Sequence, residues 1–386
     1  MSDDNARTGP LAGIKVLEIA GIGPGPMCGM LLADLGAQVL RLDRVEPSGL
    51  GIERPAKFDL LQRGKRQLKA DLKKPEGMAL ALGLAGHADA LIEGFRPGTM
   101  ERLGLGPEVC LARNPRLVYG RITGFGQTGT LAQVAGHDLN YIALSGALHA
   151  IGRAGQPPTP PLNLLGDYAG GAMLLAFGLV SALLSARSSG RGQVVDAAMI
   201  DGAAALMTPF FGLHAAGLHD GPRGTNLLDS GAPFYDVYVC ADGEYISLAP
   251  IEIKFREVLV QRLGLGTEVL ADLADRSRWP AVRQRLATLF AGRTRAEWCT
   301  LLEGSDACFA PVLAPGEAAA HPHHQSRATF VEIGGITQPA PAPRFSATPP
   351  TRPTPPRPAA DAGARDEALA WARAWGVPEA DLAGAA

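Results

Sequence analysis

The chain has no CxxC pair: its five cysteines, Cys28, Cys110, Cys240, Cys299 and Cys308, are scattered singly along 386 residues. That pattern excludes a disulfide framework and a zinc site, and it fits a reducing compartment. His321, His323 and His324 offer imidazoles, but no Cys, Asp or Glu stands near them at ligand spacing. They read as a surface loop, and no metal is expected. Charge of either sign is scarce in surplus: charged residues are 19% and the formal net charge is −2. Without a basic excess, neither nucleic acid nor an anionic membrane is expected as a constant partner. The polar stretch from Met1 to Gly9 lacks an apolar signal segment, so a cytoplasmic location is expected. Internal repeats are absent as well. One uncharged run, Tyr168 to Ala186, borders on membrane-spanning length. It holds glycines and serines, begins beside Asp167 and has no sibling spans, which predicts a buried helix instead. What remains is a 46% apolar chain, long enough for two domains with ample core.

Its first part reads as alternating strand and helix. Ile14 to Ile19 is a short apolar strand, the loop Gly21-Ile22-Gly23-Pro24-Gly25-Pro26 follows, and a helix is expected over 27–35. A second strand over 37–42 ends at Asp43. This strand–Gly-loop–helix–strand unit predicts an α/β fold of the dinucleotide-binding kind. The nicotinamide cofactor itself is excluded on physical grounds. Pro24 and Pro26 remove N–H donors from the loop that would cradle a pyrophosphate, and the glycine spacing misses GxGxxG. A basic stretch follows (Arg63, Lys65, Arg66, Lys69, Lys73, Lys74), then a helix over 75–85, a strand over 88–95 and another over 117–123. Arg44, Arg96 and Arg102 fall just beyond strand ends, where open α/β sheets bind ligands. Any one of them alone would read as part of a solvated face. Three together suggest a phosphate-bearing ligand, because the guanidinium fork matches phosphate oxygens.

The chemistry concentrates in Gly136-His137-Asp138-Leu139-Asn140-Tyr141. Apolar residues at 139, 142, 143 and 147 have the spacing of one helix face, and Asp138 stands where an N-cap is expected. A histidine at a helix start, beside unpaired N–H groups, suits proton chemistry next to a developing anion. The competing reading is a cap beside a packed imidazole. Asp167, after Asn163-Leu164-Leu165-Gly166, is likewise expected as the N-cap of the long apolar helix, a purely structural role in the plain reading. Farther on, 193–199 passes from strand to helix, and the helix runs to about 216. A hairpin spans 234–240 and 244–248 around Asp242-Gly243, followed by Glu252 and a helix over 255–263. After Thr337 the chain is proline-rich and expected to run extended, partly mobile, with a closing helix over 365–375 and a frayed last dozen residues.

Taken together, GIGPGP, ADLKKPEG, LIEGFRPGTMERLGLGPE, GFGQTG, AGHDLNYIALSG, PLNLLGDYAGG, SGRGQVVDAAM and GAPFYDVY resemble the α-methylacyl-CoA racemases of the class III CoA-transferase family, from about Gly9 to Ser346. The resemblance implies a Rossmann-like large domain that binds CoA (1–205), a linker (206–224), a smaller α+β domain (225–330) and a C-terminal return segment with its tail (331–386). It implies an interlocked homodimer as well. It places the two acid/base residues at His137 and Asp167, with Glu252 supporting the histidine and Asn163 beside the aspartate. Relatives tend to carry a proline directly after this glutamate, whereas Ile253 follows it here. Arg44, Ala70, Asp71, Leu72, Lys73, Arg96 and Arg102 would hold the nucleotide end of CoA, while Gly136, Leu139, Asn140 and Tyr141 would face the thioester. The implied reaction is racemisation at C2 of a 2-methylacyl-CoA; for it the backbone N–H of Asp138 or a neighbour, at the helix start, is the candidate oxyanion donor. No separate cofactor is implied, since CoA arrives as part of the substrate. The rival on the same fold is a CoA-transferase with Asp167 as nucleophile, and a CoA-thioester-binding protein without catalysis is the alternative of a different class.

Overall fold

The computed structural model describes residues 7–46, 49–358 and 361–385. Its strands are β1 (Lys15–Ile19), β2 (Gln38–Asp43), β3 (Arg66–Lys69), β4 (Ala90–Glu93), β5 (Val118–Thr123), β6 (Val194–Ala198), β7 (Asp236–Val239), β8 (Tyr245–Leu248), β9 (Phe309–Pro311), β10 (Phe330–Ile333) and β11 (Ile336–Pro339). The chain divides into two compact units, residues 1–145, 162–206 and 328–386 in one and 146–161 with 207–327 in the other.

In the first unit a six-stranded sheet runs in the order β3-β2-β1-β4-β5-β6, every neighbouring pair parallel. Successive side chains point to opposite faces, and both faces are covered. Leu17, Leu40, Leu91 and Tyr119 pack on one side beneath the helix Pro75–His87 and the C-terminal helix Ala362–Trp375. Val16, Val39, Ile92 and Val118 pack on the other, under the helices Pro24–Asp34 and Leu174–Ser189. A sheet buried on both faces explains why these strands read as near-continuous apolar runs.

Several sequence expectations shift. The first helix begins at Pro24, not at about residue 27, because a proline is tolerated at the first helical position. β3 lies within the stretch read only as basic: Leu68 is buried in the core, and Lys65 and Arg66 before it are held in ion pairs. The expected buried helix is buried on one side only. Leu175, Leu179 and Leu183 face the core, whereas Phe177 is 71% and Leu184 72% exposed. A helix that is apolar all round cannot bury every face against one sheet. The closing helix expected over 365–375 is present as Ala362–Trp375, with Trp371 and Trp375 in the core. The described residues after it are not frayed: a helix spans Glu379–Leu382, and Leu382 and Ala385 join the core. β10 and β11, unforeseen, close around Gly334-Gly335, both at positive φ as a tight hairpin turn requires.

The second unit contains the expected hairpin, β7 with β8, turning at Gly243 with φ +80°. β9 adds a third antiparallel strand that its proline concealed in the sequence. Helices including Ile253–Arg262 and Trp279–Phe290 pack around Phe290 and Trp298, whose rings meet edge-on at 4.9 Å.

Candidate active site

Strand order reverses between β1 and β4, and at such a switch point the loops beyond the strand ends leave a crevice. A cleft of about 700 Å³ lies there, walled by the ends of β1, β2, β4 and β5 and the residues that follow them. It brings together six of the expected site residues: Arg44, Arg96, Gly136, His137, Tyr141 and Asp167. Asp138, Leu139, Asn140, Asn163, Ala70, Asp71, Leu72, Lys73 and Arg102 are not among the residues that wall it. Residues 70–73 form a turn in which Ala70 is buried and Asp71 accepts the Lys73 N–H at 3.0 Å. Arg102 lies on a short helix and donates to Thr99 at 2.9 Å. Glu252 belongs to the second unit, at the N-cap of the helix Ile253–Arg262.

The His137 segment is built around Tyr141. Its ring meets Phe125 edge-on at 5.0 Å, and its hydroxyl donates to the Gly136 carbonyl. Glycine is required on both sides of this ring. A Cβ on Gly124 would stand 2.2 Å from it and one on Gly136 2.9 Å. The helix Asp138–Leu144 therefore starts one residue earlier than expected. His137, in extended backbone (φ −133°, ψ 175°), is the N-cap, and Asp138 is the first helical residue. The His137 N–H donates to Asn140 Oδ1 at 3.0 Å, and the imidazole is exposed toward the cleft.

Asp167 is not an N-cap either. Asn163 occupies that position, and Asp167 sits in the first turn of a π-helical segment, Leu164–Met173, that continues as the helix Leu174–Ser189. Asn163 Nδ2 donates to Asp167 Oδ2 at 3.1 Å. The wider π turn accompanies a close crossing of backbones: a Cβ on Gly202 would lie 1.8 Å from the Gly170 carbonyl oxygen. Gly23, at φ +65°, passes against the carboxylate from the opposite loop, where a Cβ would stand 3.3 Å from Asp167 Oδ2. Burial pushes the Asp167 carboxyl above the usual aspartate range, and the Asp138 charge adds to the shift. The Asn163 hydrogen bond and His137 oppose it.

Cations around the cleft fall into two kinds. Lys65 Nζ donates to Glu18 at 2.6 Å and to the Pro26 carbonyl at 2.8 Å, fixing the first turn of the first helix over β1. Glu18 comes so close to that helix that a Cβ on Gly29 would stand 2.0 Å from it. Arg121 bridges Glu93 at 2.8 Å and Glu101 at 2.7 Å, with Glu93 also accepting the Phe95 N–H. These bonds set the course of the loop that carries Arg96. Arg44 and Arg96 are exposed, and neither guanidinium has an acceptor among the described residues. The sequence reading missed Gly23 and Phe125 as cleft walls, although both follow strand ends in a doubly wound sheet. It also missed Arg357, brought in by the proline-rich segment, and no local pattern announces that return.

Comparison with known proteins agrees with this architecture. Residues 11–363 match the profile of CoA-transferase family III. The chain is 46% identical to an α-methylacyl-CoA racemase of Mus musculus over 340 residues, covering 88% of this chain and 87% of that protein. It is 45% identical to the human protein of the same name over 343 residues, again covering 88% and 87%. A crystal structure of a CAIB/BAIF family protein from Brucella suis superimposes with a TM-score of 0.78 at 26% identity, covering 94% of this chain and 100% of that one. On the match across most of its length and the identity to these racemases, the chain belongs to CoA-transferase family III.

Proposed function

We propose that this chain is an isomerase that interconverts (2R)- and (2S)-2-methylacyl-CoA thioesters by proton transfer through an enolate. The observation that carries this reading is the presence of two proton carriers, His137 and Asp167, on separate helix starts in the wall of one cleft. Racemisation next to a thioester needs a base on one face of the carbon and an acid on the other. His137 takes the proton from one epimer and Asp167 from the other, and the protonated partner returns a proton to the opposite face. The raised proton affinity of Asp167 suits a carboxyl group that must also serve as an acid.

As charge moves onto the thioester oxygen, a fixed donor is needed, and the Asp138 N–H is suited to supply it. It stands at the first position of a helix, where no carbonyl four residues back is available to it. One such donor contributes about 3 kcal/mol to the transition state elsewhere. Arg44 and Arg96, whose guanidinium groups meet no acceptor among the described residues, are suited to the phosphates of CoA. The substrate class rests on the likeness to the racemases, and the reaction needs no metal or redox group because CoA is part of the substrate. The exposed apolar residues Phe177, Val180 and Leu184 on the helix Leu174–Ser189 support a homodimer, tested by the mass of the protein in solution as it is diluted.

A single epimer of a 2-methylacyl-CoA, incubated in D2O with no acid acceptor, is expected to gain deuterium at C2 and to reach a mixture of both epimers. If C2 keeps its proton while CoA moves to an added carboxylate, Asp167 acts as a nucleophile and the chain is a transferase. Thermal stabilisation by the thioester with no exchange of any kind would instead identify a binding protein.

A further inference from the structure

We propose that the Asp138 carboxylate is a positioning residue that locks the His137 helix start to the Asp167 segment, so that both proton carriers address one carbon. This rests on the two-base reading above and adds a role that neither His137 nor Asp167 performs. One oxygen, Asp138 Oδ2, accepts two backbone N–H groups at 2.6 Å each, from Gly166 and from Asp167 itself. The residue directly after one proton carrier therefore holds the backbone of the other, 29 positions away along the chain.

Three further observations mark this as a built contact. The segment's own N-cap, Asn163, is turned onto the Asp167 carboxylate, so the orphan N–H groups of the first turn depend on Asp138. Gly166 has no room for a side chain, since a Cβ there would stand 2.7 Å from Asp138 Oδ2. Asp138 is 4% exposed, and its second oxygen, Oδ1, is buried without a hydrogen-bond partner among the described residues. An amide could accept the same two bonds through its single oxygen. The carboxylate thus brings something an asparagine would not, an unneutralised negative charge beside Asp167. The groups acting on Asp167 are Asp138, His137 and Asn163, and Tyr141 lies within reach of the Asp167 charge. Of these, Asp138 is the one that favours the protonated carboxyl by charge.

Acceptor and charge can be separated by substitution. Asp138→Ala removes both, and a misplacement of about 1 Å can cost roughly a hundredfold in rate. Turnover is expected to fall about that far from both epimers, with KM for the thioester held within about threefold. Asp138→Asn keeps the acceptor and is expected to restore about tenfold over alanine. Its acid limb, in the direction where Asp167 is the base, should move to lower pH because the like charge is gone. Gly166→Ala presses a methyl group onto the carboxylate from the other side and is expected to lower turnover from both epimers in the same way. Each variant is first checked for native circular dichroism and thioester binding. Near-native turnover in both Asp138→Ala and Gly166→Ala would overturn the proposal, as would an asparagine variant no better than alanine with an unmoved pH limb. His137→Ala and Asp167→Ala run alongside as controls. If those two also keep exchange from both epimers, the two-base reading itself fails; if only the Asp138 and Gly166 variants do, the positioning role alone fails.

Discussion

Lys65 and Arg96 are both cations close to the same cleft, and they do opposite kinds of work. Lys65 is 8% exposed and locked to Glu18, which is fully buried, and to the Pro26 carbonyl. Arg96 is exposed with no acceptor among the described residues. A buried ion pair is costly to make and more costly to break, so Lys65 is tied to the fold. An exposed guanidinium at a strand end costs the fold little and keeps its donors for a ligand. A basic stretch in a sequence therefore does not mark a phosphate site by charge alone. What separates the two kinds is whether a buried carboxylate has been supplied to meet each cation.

The contrast is most strongly tested by breaking the buried pair. Lys65→Met leaves Glu18 buried with Arg41, at 3.7 Å, as its remaining cation among the described residues, and is expected to lower unfolding stability by about 3–5 kcal/mol. Adding Glu18→Gln should recover much of that in a denaturant titration. A loss under about 1 kcal/mol for the single variant would erase the distinction. Smaller, and on a different axis, Arg96→Ala should leave stability within about 0.5 kcal/mol and raise KM for the CoA thioester roughly tenfold with kcat little changed. Arg44→Ala should act in the same direction. A fall in kcat with KM unchanged would show that these arginines do not serve uniform binding. The smallest effect expected is a displacement in pH. In the direction where Asp167 is the base, its carboxyl must be ionised. Burial raises its pKa, so the acid limb of kcat/KM should lie above the ordinary aspartate value of about 4. The limb belongs to the coupled pair of bases and not to Asp167 alone. A limb at or below the ordinary value would contradict the burial argument.

The same contrast explains what could be read from the sequence. β1 and β2 were legible because Ile14–Ile19 and 37–42 are apolar runs bounded by glycine loops, and a sheet covered on both faces demands such runs. The Gly21–Pro26 loop pointed to the strand end where the cleft lies. His137 and Asp167 were legible as a pair through the family resemblance, whereas each alone passed for a cap. β3 was hidden because Arg66 and Lys69 masked the pattern around Leu68, and the carboxylate that meets Arg66, on Glu367, lies 301 positions away. Local pattern also put the caps in the wrong places. The capping of Gly166 and Asp167 by Asp138 runs between two segments, and the π turn answers to a glycine contact with a third. Leu382 and Ala385 sit in the last dozen residues, whose composition suggested fraying, and only the sheet face that they and the closing helix cover accounts for their burial.

The most direct test of the two-base account follows deuterium into each epimer separately. Removing one base should abolish inversion while sparing exchange at the face the other base still serves. His137→Ala is expected to lose exchange from one epimer by about a hundredfold or more and to keep most of it from the other, and Asp167→Asn should show the mirror image. Equal, small losses from both epimers in both variants would contradict the claim that His137 and Asp167 flank a single carbon.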